Sequence, residues 1–186
     1  MTKDIKIIYL LGFLFSIPTA LTSYINSSLL ELHIKPSLVG LVYVFSSILA
    51  IIGMSKLEDI LNAKGLRKSA IIFSIFSFLS LLLLAFAKNS NVVLFAFIVH
   101  NITNYFIVAC LDIFIEDLSK NKNVGTFRGL YLTIINSSWV IAQLISGSII
   151  AKNSFLGIYL FASLFMILVL IIFITNLHNF KDPRFS

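Results

Sequence analysis

The stretch VVLFAFIVHNITNYFIVACLDIFIEDL, residues 92–118, decides the fold. A helix rises 1.5 Å per residue and a hydrocarbon core is about 30 Å thick, so the stretch is long and apolar enough to cross lipid. Yet it carries Asn101, Asn104 and Asp112, and ends on Glu116 and Asp117. At about 100° per residue, Asn101, Asn104, Tyr105, Val108 and Asp112 fall on one stripe of a helix. Lipid refuses such a stripe, so other helices or a watery cavity must face it.

The chain around this stretch has the composition of an integral membrane protein. Of its 186 residues 59% are hydrophobic and 12% charged, with a mean hydropathy of +1.01. Soluble domains carry about 25% charged residues. The net charge of +6 sits in short clusters between apolar runs. That pattern suits anchoring at anionic headgroups, and it offers no continuous basic face for nucleic acid. Cys110 is the one cysteine and lies inside an apolar run, so no disulfide framework or cysteine metal site is available.

Six apolar runs are expected to span the membrane, at about 6–26, 37–55, 69–87, 92–117, 127–151 and 155–177, with 181–186 a charged tail. The first begins like a signal peptide, but five more follow, and it reads as an uncleaved span. Pro18 in its middle removes a backbone donor and should kink it. Pro36 and Ser37 open the second run, and a cytosolic turn at 62–68 follows it. The third run is almost purely apolar and should face lipid. Beyond the fourth lies a charged loop, 119–125; the fifth carries Asn136, Trp139, Gln143 and Gly147 on one helical stripe. Lys152, Asn153 and Ser154 should turn the chain into an apolar sixth run.

Counting Lys and Arg by side sets the orientation. With the N-terminus inside, eleven lie inside (Lys3, Lys6, Lys56, Lys64, Arg67, Lys68, Lys120, Lys122, Arg128, Lys181, Arg184) and three outside (Lys35, Lys88, Lys152). The expected fold class is therefore an all-α integral membrane protein of six transmembrane helices, with both termini cytoplasmic, in the plasma membrane. Each triplet of spans opens on a polar-striped helix and closes on a nearly featureless one, the plan of two inverted three-helix repeats found in transporter halves.

The loop after the second run resembles the major facilitator superfamily, whose members carry G-x-L-x-D-R-x-G-R-[KR] between spans two and three. Here Leu57, Asp59, Gly65, Arg67 and Lys68 match in kind. Ser55 replaces the leading glycine, Ile60 the arginine, and about three extra residues precede Gly65. The run from Asp112 to Arg128 and Gly129, then Thr133, Asn136 and Gly147, is similar to the span-four to span-five region of many members. The resemblance implies a secondary transporter that moves a small solute by alternating access, with a coupling proton or ion as a further partner. Members usually have twelve spans in two halves, which implies that this chain is one half, truncated or split, or a six-span protein that pairs with another copy. A six-span scaffold or accessory subunit without transport of its own is the alternative.

Under the transporter reading, spans one, four and five line the path and spans three and six face lipid. Candidates for touching solute are Asn26, Asn101, Asn104, Asn136, Trp139 and Gln143, each of which could equally bond or pack against a neighbouring helix. Candidates for a cytosolic gate or charge cluster are Asp59, Gly65, Arg67, Lys68, Asp112, Glu116 and Arg128. Asp112 pairs either with Arg128 or with Arg67 and Lys68, or takes up a proton as a desolvated carboxylate. His100 points about 100° from the Asn101–Asp112 stripe, as a packing residue or a proton relay. No midplane Arg or Lys awaits an anion.

Enzyme chemistry is not expected. No Gly-x-Ser-x-Gly, His-Glu-x-x-His or paired-Asp motif occurs. His100 and Asp112 lie twelve residues apart, about 18 Å along a helix, too far for a dyad. With no phosphate-binding glycine loop and no metal-ligand set, no cofactor or metal is expected.

Overall fold

The computed structural model describes residues 3–119 and 124–177, and the side chains of all of these except residues 150–154. The expected tail 181–186, and Lys120 to Asn123 of the expected charged loop, lie outside the described residues. The elements are α1 (Lys3–Ser23), α2 (Asn26–Glu31), α3 (Pro36–Met54), α4 (Leu57–Lys64), α5 (Leu66–Phe86), α6 (Ser90–Ser119) and α7 (Val124–Asn176). Among the described residues six helical stretches are long and apolar enough to cross a membrane: α1, α3, α5, α6 and two within α7, Val124–Ile149 and Phe155–Asn176. The expected all-helical class and the six spans are both present.

The backbone of α7 is helical through residues 152–154, where a turn was expected. It nevertheless folds back on itself. Arg128 is ion-paired with Asp112, while the Phe173 ring lies 6.1 Å from that of Phe114, its neighbour two residues along α6. In a straight helix Arg128 and Phe173 would stand about 68 Å apart. Gln143 reaches Tyr24 and Tyr159 reaches Asn26, both just past the end of α1, so the reversal lies between Gln143 and Tyr159. The two stretches of α7 are thus antiparallel, spans five and six.

The bundle is built around α1, the most enclosed span, which packs on α6 and on α7. It buries Ile5, Ile8, Leu11, Phe15, Ala20 and Leu21. Lipid tails are as apolar as leucine, so fit and hydrogen bonds hold these helices rather than apolar burial as such. Gly12 is where fit is tightest: a Cβ there would lie 2.4 Å from Cε2 of Tyr131, so only glycine lets the Val124–Ile149 stretch approach this closely. The helix α5 packs on α6 and α7, and α3 chiefly on α6.

Three local readings change. The first run stops at Ser23, and a short break at Tyr24 and Ile25 leads into α2. The expected turn at 62–68 contains the end of α4 and the start of α5. Leu57 and Leu61, one turn apart, are buried and hold α4 against the bundle, and Gly65 at φ 83° lets the chain leave it for α5. The third run is not featureless. Ser69, Ser74, Ser77 and Ser80 are buried on its inner face, while Ile75, Phe76, Leu79 and Leu83 are exposed on the lipid side. Serine is small enough for close helix approach, and Ser80 returns its hydroxyl to the Ser77 carbonyl.

Basic residues gather at one end. Tyr9 donates to the Phe127 carbonyl, Asp112 meets Arg128, and Arg67 reaches Phe173 and Ile174. These contacts put the start of α1, the end of α6, the start of α5 and both ends of α7 together. Lys56, Lys64, Arg67, Lys68 and Arg128 share that end; Lys35 and Lys88 lie at the opposite one.

Candidate functional site: a trough along α1, α6 and α7

The stripe on α6 faces open space rather than packed protein. Asn101, Asn104, Tyr105 and Val108 line one cavity of about 220 Å³, and Val108 and Asp112 line a second of about 450 Å³. Thr19 of α1 and Val108 of α6 belong to both. The two cavities are therefore neighbours in a trough along α1 and α6, with the Val124–Ile149 stretch walling the larger and α3 the smaller.

The smaller cavity is polar. From α1 and α2 it takes Thr19, Thr22, Ser23 and Asn26, from α3 Tyr43, and from α6 His100 beside the stripe. The offset of about 100° does not remove His100 from the wall, which Thr22 of α1 shares with it. Its ring is fully buried and joins three helices. Nε2 lies 3.3 Å from Thr22 Oγ1 of α1 and 3.1 Å from Asn104 Nδ2, and Nδ1 lies 3.5 Å from Ser77 Oγ of α5. No charged side chain lines this cavity among the described residues.

The larger cavity is mostly apolar, with Phe15, Leu111, Tyr131, Ile135 and Trp139 around it, and the Asp112–Arg128 ion pair forms one wall. Asp112 and Arg128 are 42% and 47% exposed, so water screens the pair and it contributes under about 1 kcal/mol.

The candidate residues of the sequence divide as follows. Asn26, Asn101 and Asn104 share the small cavity; Trp139 is in the large one. Asn26 accepts a 2.7 Å bond from the Tyr159 hydroxyl, and Asn101 donates a 2.8 Å bond to Ser46 Oγ. Asn136 and Gln143 are exposed and line neither cavity, and Gln143 donates to the Tyr24 hydroxyl. In the basic cluster, Asp112 meets Arg128 and not Arg67. Arg67 turns instead to the end of α7, donating to the Phe173 carbonyl at 2.9 Å and the Ile174 carbonyl at 2.5 Å. Asp59, Lys68 and Glu116 are exposed, and Gly65 makes the turn between α4 and α5. The reading of the sequence missed Thr22, Tyr43, Ser46 and Tyr131. Each is small or aromatic within an apolar run, and no local pattern sets it apart from lipid-facing material.

A family profile described as Major Facilitator Superfamily matches residues 8–185, nearly the whole chain. The chain belongs to the Major Facilitator Superfamily. No curated protein and no solved structure gives a significant match. Members of this superfamily are multi-pass membrane transporters that move small solutes, and the six spans fit one half of such a protein.

Proposed function

We propose that this chain works as one six-helix half of a secondary transporter that carries a small solute by alternating access across the plasma membrane, with both termini inside. The observation that carries the reading is the exposed polar face of the Val124–Ile149 stretch. Thr133, Asn136, Ser137, Gln143 and Gly147 are exposed on a stretch that must cross lipid. Amides exposed on a membrane span face protein or water, not hydrocarbon. The Val124–Ile149 stretch and α3 are also the least enclosed spans. A second six-span bundle, joined in the same polypeptide or supplied by another copy, would cover them and close the trough into a central path.

Under this reading the solute binds near Asn101 and Asn104, and rocking of the two halves exposes it to one side at a time. The Asp112–Arg128 pair, with Glu116, Asp59 and Lys68 nearby in sequence or at the same end, latches the cytoplasmic mouth. The eleven basic residues that the sequence places on one side support the orientation.

The test uses single cysteines at Asn136 and Gln143 in a Cys110→Ala background, in the full chain in native membranes. Labelling by a water-soluble maleimide, or disulfide cross-linking to a second bundle, is expected at both. Labelling only by a lipid-dissolved reagent would place that face in the bilayer and overturn the reading in favour of a scaffold.

A further inference from the structure

The trough changes chemistry along its length. Its Asn101 end is polar and can bond in both senses. The amide nitrogens of Asn101 and Asn104 carry two protons each and make one contact each, to Ser46 Oγ at 2.8 Å and to His100 Nε2 at 3.1 Å, so each keeps an N–H. Thr19 and Ser23 donate to carbonyls of α1, at 3.0 and 2.7 Å, and keep lone pairs for a partner. Among the described residues no Lys, Arg, Asp or Glu lines this cavity. An ion entering it would give up hydration with no opposite charge to meet it.

One turn beyond Asn104, at Val108, the wall becomes apolar. Phe15, Leu111, Leu132, Ile135 and Trp139 line the larger cavity, and its volume of about 450 Å³ falls in the range of about 300–1,000 Å³ typical of sites for organic ligands. Its two charges, Asp112 and Arg128, are paired with each other and leave no net charge to select an ion. A ring or a short hydrocarbon chain there would take the place of water against apolar side chains. Thr19 and Val108 line both cavities, so the polar and apolar chambers adjoin at these two residues. Val108 is itself exposed, and a single side chain rather than a packed layer marks the joint on α6.

We propose that the trough binds an uncharged amphipathic solute, its hydroxyl- or amide-bearing end beside Asn101 and Asn104 and its ring or short chain beyond Val108 beside Trp139; the proposal rests on the transporter reading above. Asn101 and Asp112 are eleven residues apart on α6, about 16 Å along the helix, which sets the length available to such a molecule. A wholly polar solute would fill the smaller chamber and leave the apolar one to water. A wholly apolar solute would leave the amides of Asn101 and Asn104 without partners. A bilayer lipid keeps its polar end at headgroup level, whereas Asn104 stands at the middle of α6.

The experiment is solute protection of one thiol in each chamber. Tyr105 lines the smaller and Leu132 the larger, and both are exposed, so Tyr105→Cys and Leu132→Cys are made separately in the Cys110→Ala background. The full chain in native membrane vesicles is labelled with a water-soluble maleimide, alone or with a probe. Phenyl β-glucoside and phenoxypropanediol carry both ends, methyl β-glucoside only the polar end and anisole only the apolar one; phenyl phosphate and benzyltrimethylammonium carry a charge. A two-ended probe is expected to protect both thiols at one and the same concentration, at least about tenfold below that of methyl β-glucoside, the effect of one buried ring. Val108→Phe, which fills the joint, should abolish that advantage.

Methyl β-glucoside as effective as the two-ended probes, anisole protecting Leu132→Cys as well as they do, or a charged probe protecting best overturns the proposal. So does an advantage that survives Val108→Phe, or labelling of Leu132→Cys only by a membrane-dissolved maleimide, which would open the larger chamber to lipid. Labelling of both thiols with no protection by any probe overturns the solute class and leaves the watery trough standing. No labelling of either, in variants whose melting temperatures match their parent, removes the trough itself, and the transporter reading with it.

Discussion

Replacing Gly12 with alanine should loosen the bundle at its centre. A Cβ on Gly12 would sit 2.4 Å from Tyr131 Cε2, 3.0 Å from Cζ and 3.1 Å from the hydroxyl oxygen. Carbon contacts are comfortable at about 3.5–4.0 Å, so the ring must retreat by about 1 Å or more. Tyr131 is 4% exposed, and its ring stacks on Tyr9 with centroids 6.2 Å apart. Retreat towards the larger cavity gives up that stacking, about 0.5–1.5 kcal/mol, and the remaining crowding brings the total into the range of about 1–3 kcal/mol for an overpacked core. The loss is read by reversible unfolding in detergent, followed by the fluorescence of Trp139, the one tryptophan, on the same cavity wall. Tyr131→Leu removes the obstructing ring. In that background Gly12→Ala should cost less than about 0.5 kcal/mol, because touching residues are coupled and the coupling has been removed. Equal losses in both backgrounds, or no loss in the parent, would refute the close approach of α1 and α7 as the reason for glycine here.

Other outcomes follow from the same contacts. Tyr159→Phe removes the 2.7 Å bond to Asn26 and should lower unfolding stability by about 0.6–1.7 kcal/mol, the span measured for interhelical bonds in lipid; an unchanged midpoint would mean that Asn26 finds another donor. Arg67→Gln loses the fork on the Phe173 and Ile174 carbonyls, and amide exchange over 173–177 should accelerate severalfold while α3 is unaffected. For Asp112→Asn and Arg128→Gln, a double-mutant cycle should return a coupling under about 1 kcal/mol, as both side chains are close to half exposed; a value above about 2 kcal/mol would mean that the pair is enclosed when the protein is assembled.

The spans were legible because lipid imposes one rule, an apolar run of sufficient length, and each of the six obeys it. The α6 stripe was legible for the same reason reversed: amides and a carboxylate on one face of an apolar helix have few places to go. The serines of α5 escaped notice because serine can bond its own helix and so passes as neutral in an apolar run. The helix α4 was hidden by its charges, with only Leu57 and Leu61 to reveal its buried side. Contacts such as Gly12 with Tyr131 and Asn26 with Tyr159 join residues more than a hundred positions apart, and no local periodicity encodes them. The fifth-span stripe divides: Trp139 lines the larger cavity, whereas Asn136 and Gln143 are exposed and line neither, a difference that helical periodicity alone does not encode.

The central claim, a solute path that opens to each side in turn, is tested most directly at Asn104. Asn104→Cys in the Cys110→Ala background, in right-side-out and in inside-out vesicles, is exposed to a membrane-impermeant maleimide. Labelling in both preparations is the expected result, because the residue lines the trough near the middle of its helix and alternating access shows it to both solutions. Labelling in neither, with folding intact, would contradict a path through this bundle and leave the polar stripe as helix-to-helix contact.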